Sequence, residues 1–185
     1  MNPKDTDKEI ERIFICDDSE HTFLDKISYD LMAFGSWRAD RDIVDGNLYI
    51  INEAFPVAGL NFNPLYHFND YLSAGASMDF IYDASADLIS EIKEDKAITY
   101  SYPGFMEQCA WGLSARAELK MPIFAVNIGI GYNVFHKGRD LKGLYGMFAL
   151  KAFFTENLYL NIGYRLSSVL YSHNLMFGVG IRFKS

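Results

Sequence analysis

The chain alternates apolar and polar residues in eight segments, and the gaps between them are tight and mostly long by turns. A tilted strand of about ten residues is what crosses a bilayer. Short turns at one end, longer loops at the other and both termini at the turn end are the plan of a small outer-membrane barrel. The fold expected is therefore all-β: an eight-stranded antiparallel up-and-down transmembrane β-barrel behind a short N-terminal extension.

The expected strands cover residues 27–38, 54–66, 71–82, 105–119, 123–135, 144–154 and 158–166, and the last starts at Leu175. Tight turns fall at 67–70, 120–122 and 155–157, and loops at 39–53, 83–104, 136–143 and 167–174. In the fifth strand Phe124, Val126, Ile128, Ile130 and Tyr132 oppose Asn127, Gly129, Gly131 and Asn133. The seventh sets Leu158, Leu160, Ile162, Tyr164 and Leu166 against Tyr159, Asn161, Gly163 and Arg165. Such unbroken period-two patterning marks strands with two unlike faces.

Chemistry decides which face meets what. A soluble barrel turns its apolar face inward and carries Lys and Glu outside, and a membrane barrel inverts this. Here one face is continuous Leu, Ile, Val, Phe and Ala. The other is Asn, Ser and Gly with sparse charges of both signs: Asp30, Asp79, Arg116, Glu118, Lys151, Arg165 and Arg182. Small polar residues suit the lumen of an eight-stranded barrel, where only side chains fit. The charges there are expected to form at least one mixed cluster, because unpaired buried charge is costly. The 15 Phe and 12 Tyr suit aromatic girdles.

A single domain is expected at this length, with residues 1–22 as a polar, acidic periplasmic extension holding a short helix at 8–15, and residues 23–185 as the barrel. The first 20 residues hold seven acids and three bases, part of a net charge of −7. So acidic a chain lacks the basic footprint of a nucleic-acid binder. Cys16 and Cys109 match no metal spacing and are expected to be free thiols. His21, His67 and His136 share no ligand spacing, so no metal is expected, and no cofactor either. Gly129-x-Gly131 lacks the rest of a dinucleotide fingerprint and is a pair of strand glycines. No run is long and apolar enough for a transmembrane helix, and no basic-then-apolar leader opens the sequence. Residence in the bacterial outer membrane, with periplasmic termini, therefore implies that a signal peptide has been removed. The charged loop at 83–104 is expected to be a solvated surface.

The last strand, NLMFGVGIRFKS, closes on Arg182-Phe183 and resembles the C-terminal signature of bacterial outer-membrane proteins, displaced by Lys184 and Ser185. From Leu24 onward the chain resembles small Bacteroidetes-type outer-membrane barrels grouped with the lipid A 3-O-deacylase (acyloxyacyl-hydrolase-like) family. The segments FPVAGLNFNPLYHF, YLSAGASMDFIYDASADL, DLKGLYGMFALKAFFTENLYLNIGYR and HNLMFGVGIRF carry the likeness. The resemblance implies a lipid A ester hydrolase whose motif, His-x-Ser-Asn on a late strand, sets a base beside a serine with an acid nearby. This sequence departs at that motif. Near the matching place stand Arg165-Leu166-Ser167-Ser168, then Ser172-His173-Asn174. By parity Ser168 and His173 flank one hairpin on the outward face, and no acid lies in 166–183 to orient His173. Against a catalytic pair stands a polar hairpin whose residues serve turn geometry.

No catalytic residue is therefore assigned. The expected function is that of a non-catalytic outer-membrane barrel with a structural or interaction role in the Gram-negative envelope. Its partners would be outer-membrane lipid and lipopolysaccharide, and other outer-membrane proteins in a complex. The alternatives are a lipid A deacylase and a soluble, lipocalin-like ligand-binding barrel.

Overall fold

The computed structural model describes residues 23–44, 47–92, 98–167 and 173–184. The short helix expected at 8–15, and Cys16, lie outside them. After a single 3-10 turn, Phe23–Lys26, come β1 (Ile27–Val44), β2 (Asn47–His67), β3 (Leu72–Asp83), β4 (Ile89–Ile92), β5 (Ile98–Ser101), β6 (Cys109–Lys120), β7 (Phe124–His136), β8 (Gly143–Phe153), β9 (Leu158–Ser167) and β10 (His173–Lys184). Eight of these strands close an antiparallel barrel in the order β1-β10-β9-β8-β7-β6-β3-β2, and β4 and β5 form a separate hairpin. The seam is β1 against β10, in register from Ser28↔Lys184 to Gly35↔Phe177. Ile27 and Lys184 therefore share an end with the tight turns after β2, β6 and β8.

Three expectations about loops are corrected. The gap at 39–53 is not a loop: β1 and β2 stay paired out to Val44↔Asn47, with one register shift between Ala39 and Arg41. The loop at 83–104 contains the β4–β5 hairpin, paired from Ile89↔Ser101 to Ile92↔Ile98. Its first residues are not a solvated surface either. Asp83, Ala84, Ser85 and Ala86 are buried. The fourth barrel strand starts at Cys109 and not at Phe105. A turn precedes it, in which Glu107 N–H donates to the Gly104 carbonyl at 2.8 Å.

The face assignment holds. Ile128 and Ile162 are 52 % and 53 % exposed on the outer wall, whereas Asp30, Glu118 and Arg182 are at most 1 % exposed inside. An apolar exterior around a charged interior is the reverse of a soluble barrel, which removes the lipocalin-like alternative. The lumen is less polar than expected, because Met32, Phe34, Val57, Leu65, Ile81, Met147 and Met176 are also buried. These fill the space between the polar layers, as the narrow bore of eight strands requires.

Strand spacing sets one tight approach. A Cβ at Gly75 would run into the Pro64 carbonyl oxygen across the β2–β3 pair. Backbone is met there rather than a movable side-chain tip. Gly75→Val should thus lower stability by about 1–3 kcal/mol, the usual cost of overpacking, in urea unfolding from detergent.

Candidate functional site

Parity sends every second side chain inward, so the lumen is built by residues from strands far apart in sequence. Nearest the turn end, the His67 ring lies between two serine hydroxyls. Its Nε2 is 2.8 Å from Ser28 Oγ and its Nδ1 is 2.7 Å from Ser73 Oγ. A neutral imidazole has one donor and one acceptor, so both ring nitrogens are in use. Ser28 and Ser73 are 0 % and 1 % exposed, out of reach of an ester. The group pins β1, β2 and β3 together.

Next comes a quartet of charges from β1, β6, β8 and β10. Lys151 Nζ sits 2.6 Å from Asp30 Oδ2 and 2.5 Å from Glu118 Oε2. Arg182 donates from Nε to Asp30 Oδ1 at 2.6 Å and from Nη2 to Glu118 Oε1 at 2.6 Å. Two acids and two bases alternate, so the layer is neutral. Lys151 also lies over the Tyr159 ring, 5.1 Å from its centroid.

Asp79 is the hub of the following layer. It accepts from Asn61 at 2.5 Å, Ser77 at 2.5 Å and Ser114 at 2.8 Å, from Arg116 Nη2 at 2.8 and 2.9 Å, and from the Tyr145 hydroxyl. Arg116 Nε donates to Ser114 Oγ at 2.8 Å. Above it the Arg165 guanidinium stacks 3.8 Å from the Tyr145 ring centroid and donates to Asn133 Oδ1 at 2.9 Å.

The loop end is tied across. Arg38 pairs with Asp83 at 2.9 Å, and Ser85 donates from N and Oγ to the same carboxylate at 2.9 and 2.6 Å. Gln108 Nε2 donates to the Ala84 carbonyl at 3.0 Å. Asp87 N–H reaches Asp140 at 2.9 Å, and Arg139 N–H reaches Asp87 at 3.0 Å. The loops after β3 and β7 are thus stitched together over the mouth. These side-chain bonds tie together strands that are far apart in sequence.

All seven charges assigned inward from the sequence are there, in the quartet, around Asp79 and at Arg165. Sequence reading missed Tyr145, Arg38 and Asp83. Tyr145 shares the parity of Lys151, and Arg38 that of Asp30, so each could have been placed by extending the alternation. Ser168 and the His173 side chain lie outside the described residues, and only the backbone register Leu166↔His173 closes β9 on β10. Arg165 is turned inward, and Ser167 follows it on the same face. Among the described residues no group of three His, Cys, Asp or Glu could hold a metal. Cys109 is a free, buried thiol.

A different feature marks the outer wall at the loop end. β6 and β7 slip register between Trp111 and Gly112, which pair with Phe135 and Asn133, so that Val134 is left over as a bulge. Val134 and Phe135 then both face out. Together with Phe80, Phe105, Met106 and Trp111 they line a groove of about 470 Å³, with His136 and Lys137 at its edge. A second groove of about 330 Å³ shares Phe80 and Trp111 and continues along Leu31, Leu60, Phe62 and Met78. The His136 ring is engaged by the Gly138 carbonyl, 3.0 Å from Nδ1.

The family model described as acyloxyacyl hydrolase, C-terminal domain, matches residues 27–185. Among solved structures, a de novo designed transmembrane β-barrel is 11 % identical, with a TM-score of 0.48 over 85 % of this chain and 96 % of that one. The attachment invasion locus protein Ail of Yersinia pestis is 13 % identical, with a TM-score of 0.47 over 85 % of this chain and 99 % of its own. The KdgM porin is 9 % identical, with a TM-score of 0.29 over 85 % and 99 % of the two chains. No curated protein matches the sequence.

Proposed function

The chain belongs to the acyloxyacyl hydrolase C-terminal domain family, and we propose that it is a member without hydrolase activity, a structural or interaction component of the Gram-negative envelope. It is a bacterial outer-membrane β-barrel. The observation that carries the proposal is Arg165. The sequence holds no His-x-Ser; near the place of the family's motif it reads Arg165-Leu166-Ser167-Ser168, and the arginine is buried against Tyr145. A guanidinium stays protonated in proteins and cannot take a proton from a hydroxyl. Among the described residues, the histidine that does touch serines, His67, touches two that are sealed inside.

The turn end faces the periplasm in this reading and the loop end faces outward. The apolar wall then contacts lipid, and the grooves meeting at Phe80 and Trp111 receive acyl chains of lipopolysaccharide, with Lys137 beside its anionic groups. The β1–β2 ribbon, which continues past the β1–β10 seam, offers a surface to other outer-membrane proteins.

The second reading is a lipid A deacylase using Ser168 and His173. The register Leu166↔His173 favours it, because it brings together the strand ends on either side of that stretch of sequence. Mass spectrometry of lipid A from cells with and without the protein, and with Ser168→Ala or His173→Ala, separates the two. Unchanged acylation in every strain is expected. Loss of one acyl chain, dependent on both residues, would make the pair an active site.

A further inference from the structure

Over the mouth, the loops after β3 and β7 enclose a cavity of about 460 Å³, with Asp87, Tyr102, Glu107, Lys137, Arg139 and Asp140 in its walls. Its electrostatics differ from those of the lumen below. There the ion pairs run at 2.5–2.9 Å between buried side chains. Here Lys137 Nζ stands 3.6 Å from Glu107 Oε1, and Arg139 Nε stands 3.9 Å from Asp87 Oδ1, with the two cations 70 % and 96 % exposed. Long, solvated pairs of this kind hold little energy, so their charged groups are available to a ligand.

The frame around them is set by the backbone. Asp87 N–H donates to Asp140 Oδ2 at 2.9 Å, and Arg139 N–H donates to Asp87 Oδ1 at 3.0 Å, so each loop holds the other. Asp87 takes a φ of 54°, a left-handed conformation that aspartate tolerates. Gly138 is buried in the cavity wall, and a Cβ there would lie 2.0 Å from Asp87 Oδ2 and 2.3 Å from the Glu107 carbonyl oxygen. Three loop segments therefore meet with no room for a side chain between them. Walls fixed in advance lose less freedom when a ligand arrives.

A carboxylate only accepts hydrogen bonds, and an ammonium or guanidinium only donates them. Set side by side around one cavity, they match a ligand whose groups do both, as hydroxyls do. A simple anion is less suited, because each of the two cations already has a carboxylate beside it. Tyr102, 61 % exposed, adds a flat apolar surface of the kind on which the C–H face of a sugar ring stacks. We propose that this cavity binds one saccharide ring of a surface glycan, stacked on Tyr102 and hydrogen-bonded by Glu107, Lys137 and Arg139. Lys137 also lines the apolar groove on the outer wall, so a glycan carried by a lipid reaches the cavity from the membrane. The site depends neither on hydrolase activity nor on what fills the grooves.

The test uses the full chain in a detergent that carries no sugar, titrated with two acyl-free probes and followed by saturation-transfer NMR. One probe is the core oligosaccharide released from lipopolysaccharide by mild acid, and the other is the neutral glucan maltoheptaose. Transfer from the protein to sugar-ring protons is expected. Transfer to both probes assigns the site to neutral sugar rings at large, and transfer to one alone assigns it to that source. Tyr102→Ala should weaken binding about tenfold, the loss of roughly one aromatic contact, whereas Tyr102→Phe should keep it. Glu107→Gln should weaken it as well, and Phe154→Ala at the turn end should not. Exposed Tyr102 is dispensable for folding, which an unchanged melting temperature checks. No transfer to either probe, transfer that survives Tyr102→Ala, or displacement of the sugar by inorganic phosphate would overturn the site.

Discussion

Glu118→Leu should cost about 3–5 kcal/mol of stability, the range seen when one member of a buried ion pair is removed. The change leaves Lys151 and Arg182 sharing Asp30 alone in a layer with little water. The loss comes from stranded charge rather than from missing contacts. The double variant Glu118→Leu, Lys151→Met removes one acid and one base together and should recover most of it, because an apolar replacement of a whole buried pair is often neutral. Urea unfolding from detergent, read by tryptophan fluorescence, measures both. A loss below about 1 kcal/mol for the single variant would mean the quartet behaves as an exposed ion network.

Ile128→Arg should cost about 2–4 kcal/mol in refolding into lipid vesicles, the penalty for a cation at the bilayer midplane. Ile128 is central in β7, paired with Ala117 on one side and Phe148 on the other, and it is half exposed on the outer wall. The same change at Phe135, near the loop end of β7, should cost only about 0–1 kcal/mol, as expected near an interface. Similar costs at the two positions would contradict a lipid belt centred on Ile128.

How far the fold could be read beforehand follows from how each piece is specified. β7, β9 and β10 were legible because one face is apolar without interruption, and a slip by one residue would reverse every side chain. The far part of the β1–β2 hairpin was not, because Asp40, Arg41 and Asp42 break the apolar rhythm once the strand has left the belt. Yet Asp45-Gly46 is a dipeptide favoured in two-residue hairpin turns, and it stood between Val44 and Asn47 as a usable signal. The buried stretch Asp83–Ala86 was hidden by its polar neighbours. Its burial comes from Arg38 and Gln108, far away in sequence.

The candidate site divides the same way. Parity alone placed the charges inside. Who pairs with whom depends on the stagger of the barrel, which brings to one level residues as distant as Asp30 and Arg182, 152 positions apart.

The seam gives the quartet a further meaning. Asp30 lies on the first strand and Arg182 on the last, and they are register partners in the pairing that turns a curved sheet into a cylinder. Until β10 arrives, the two acids of that layer have one base between them. Its docking delivers the second at the moment the interior is sealed. Correct circularisation is thereby keyed to a specific contact at the join. A strand sliding in two residues out of step would keep its oily side toward the lipid and still fail to lock.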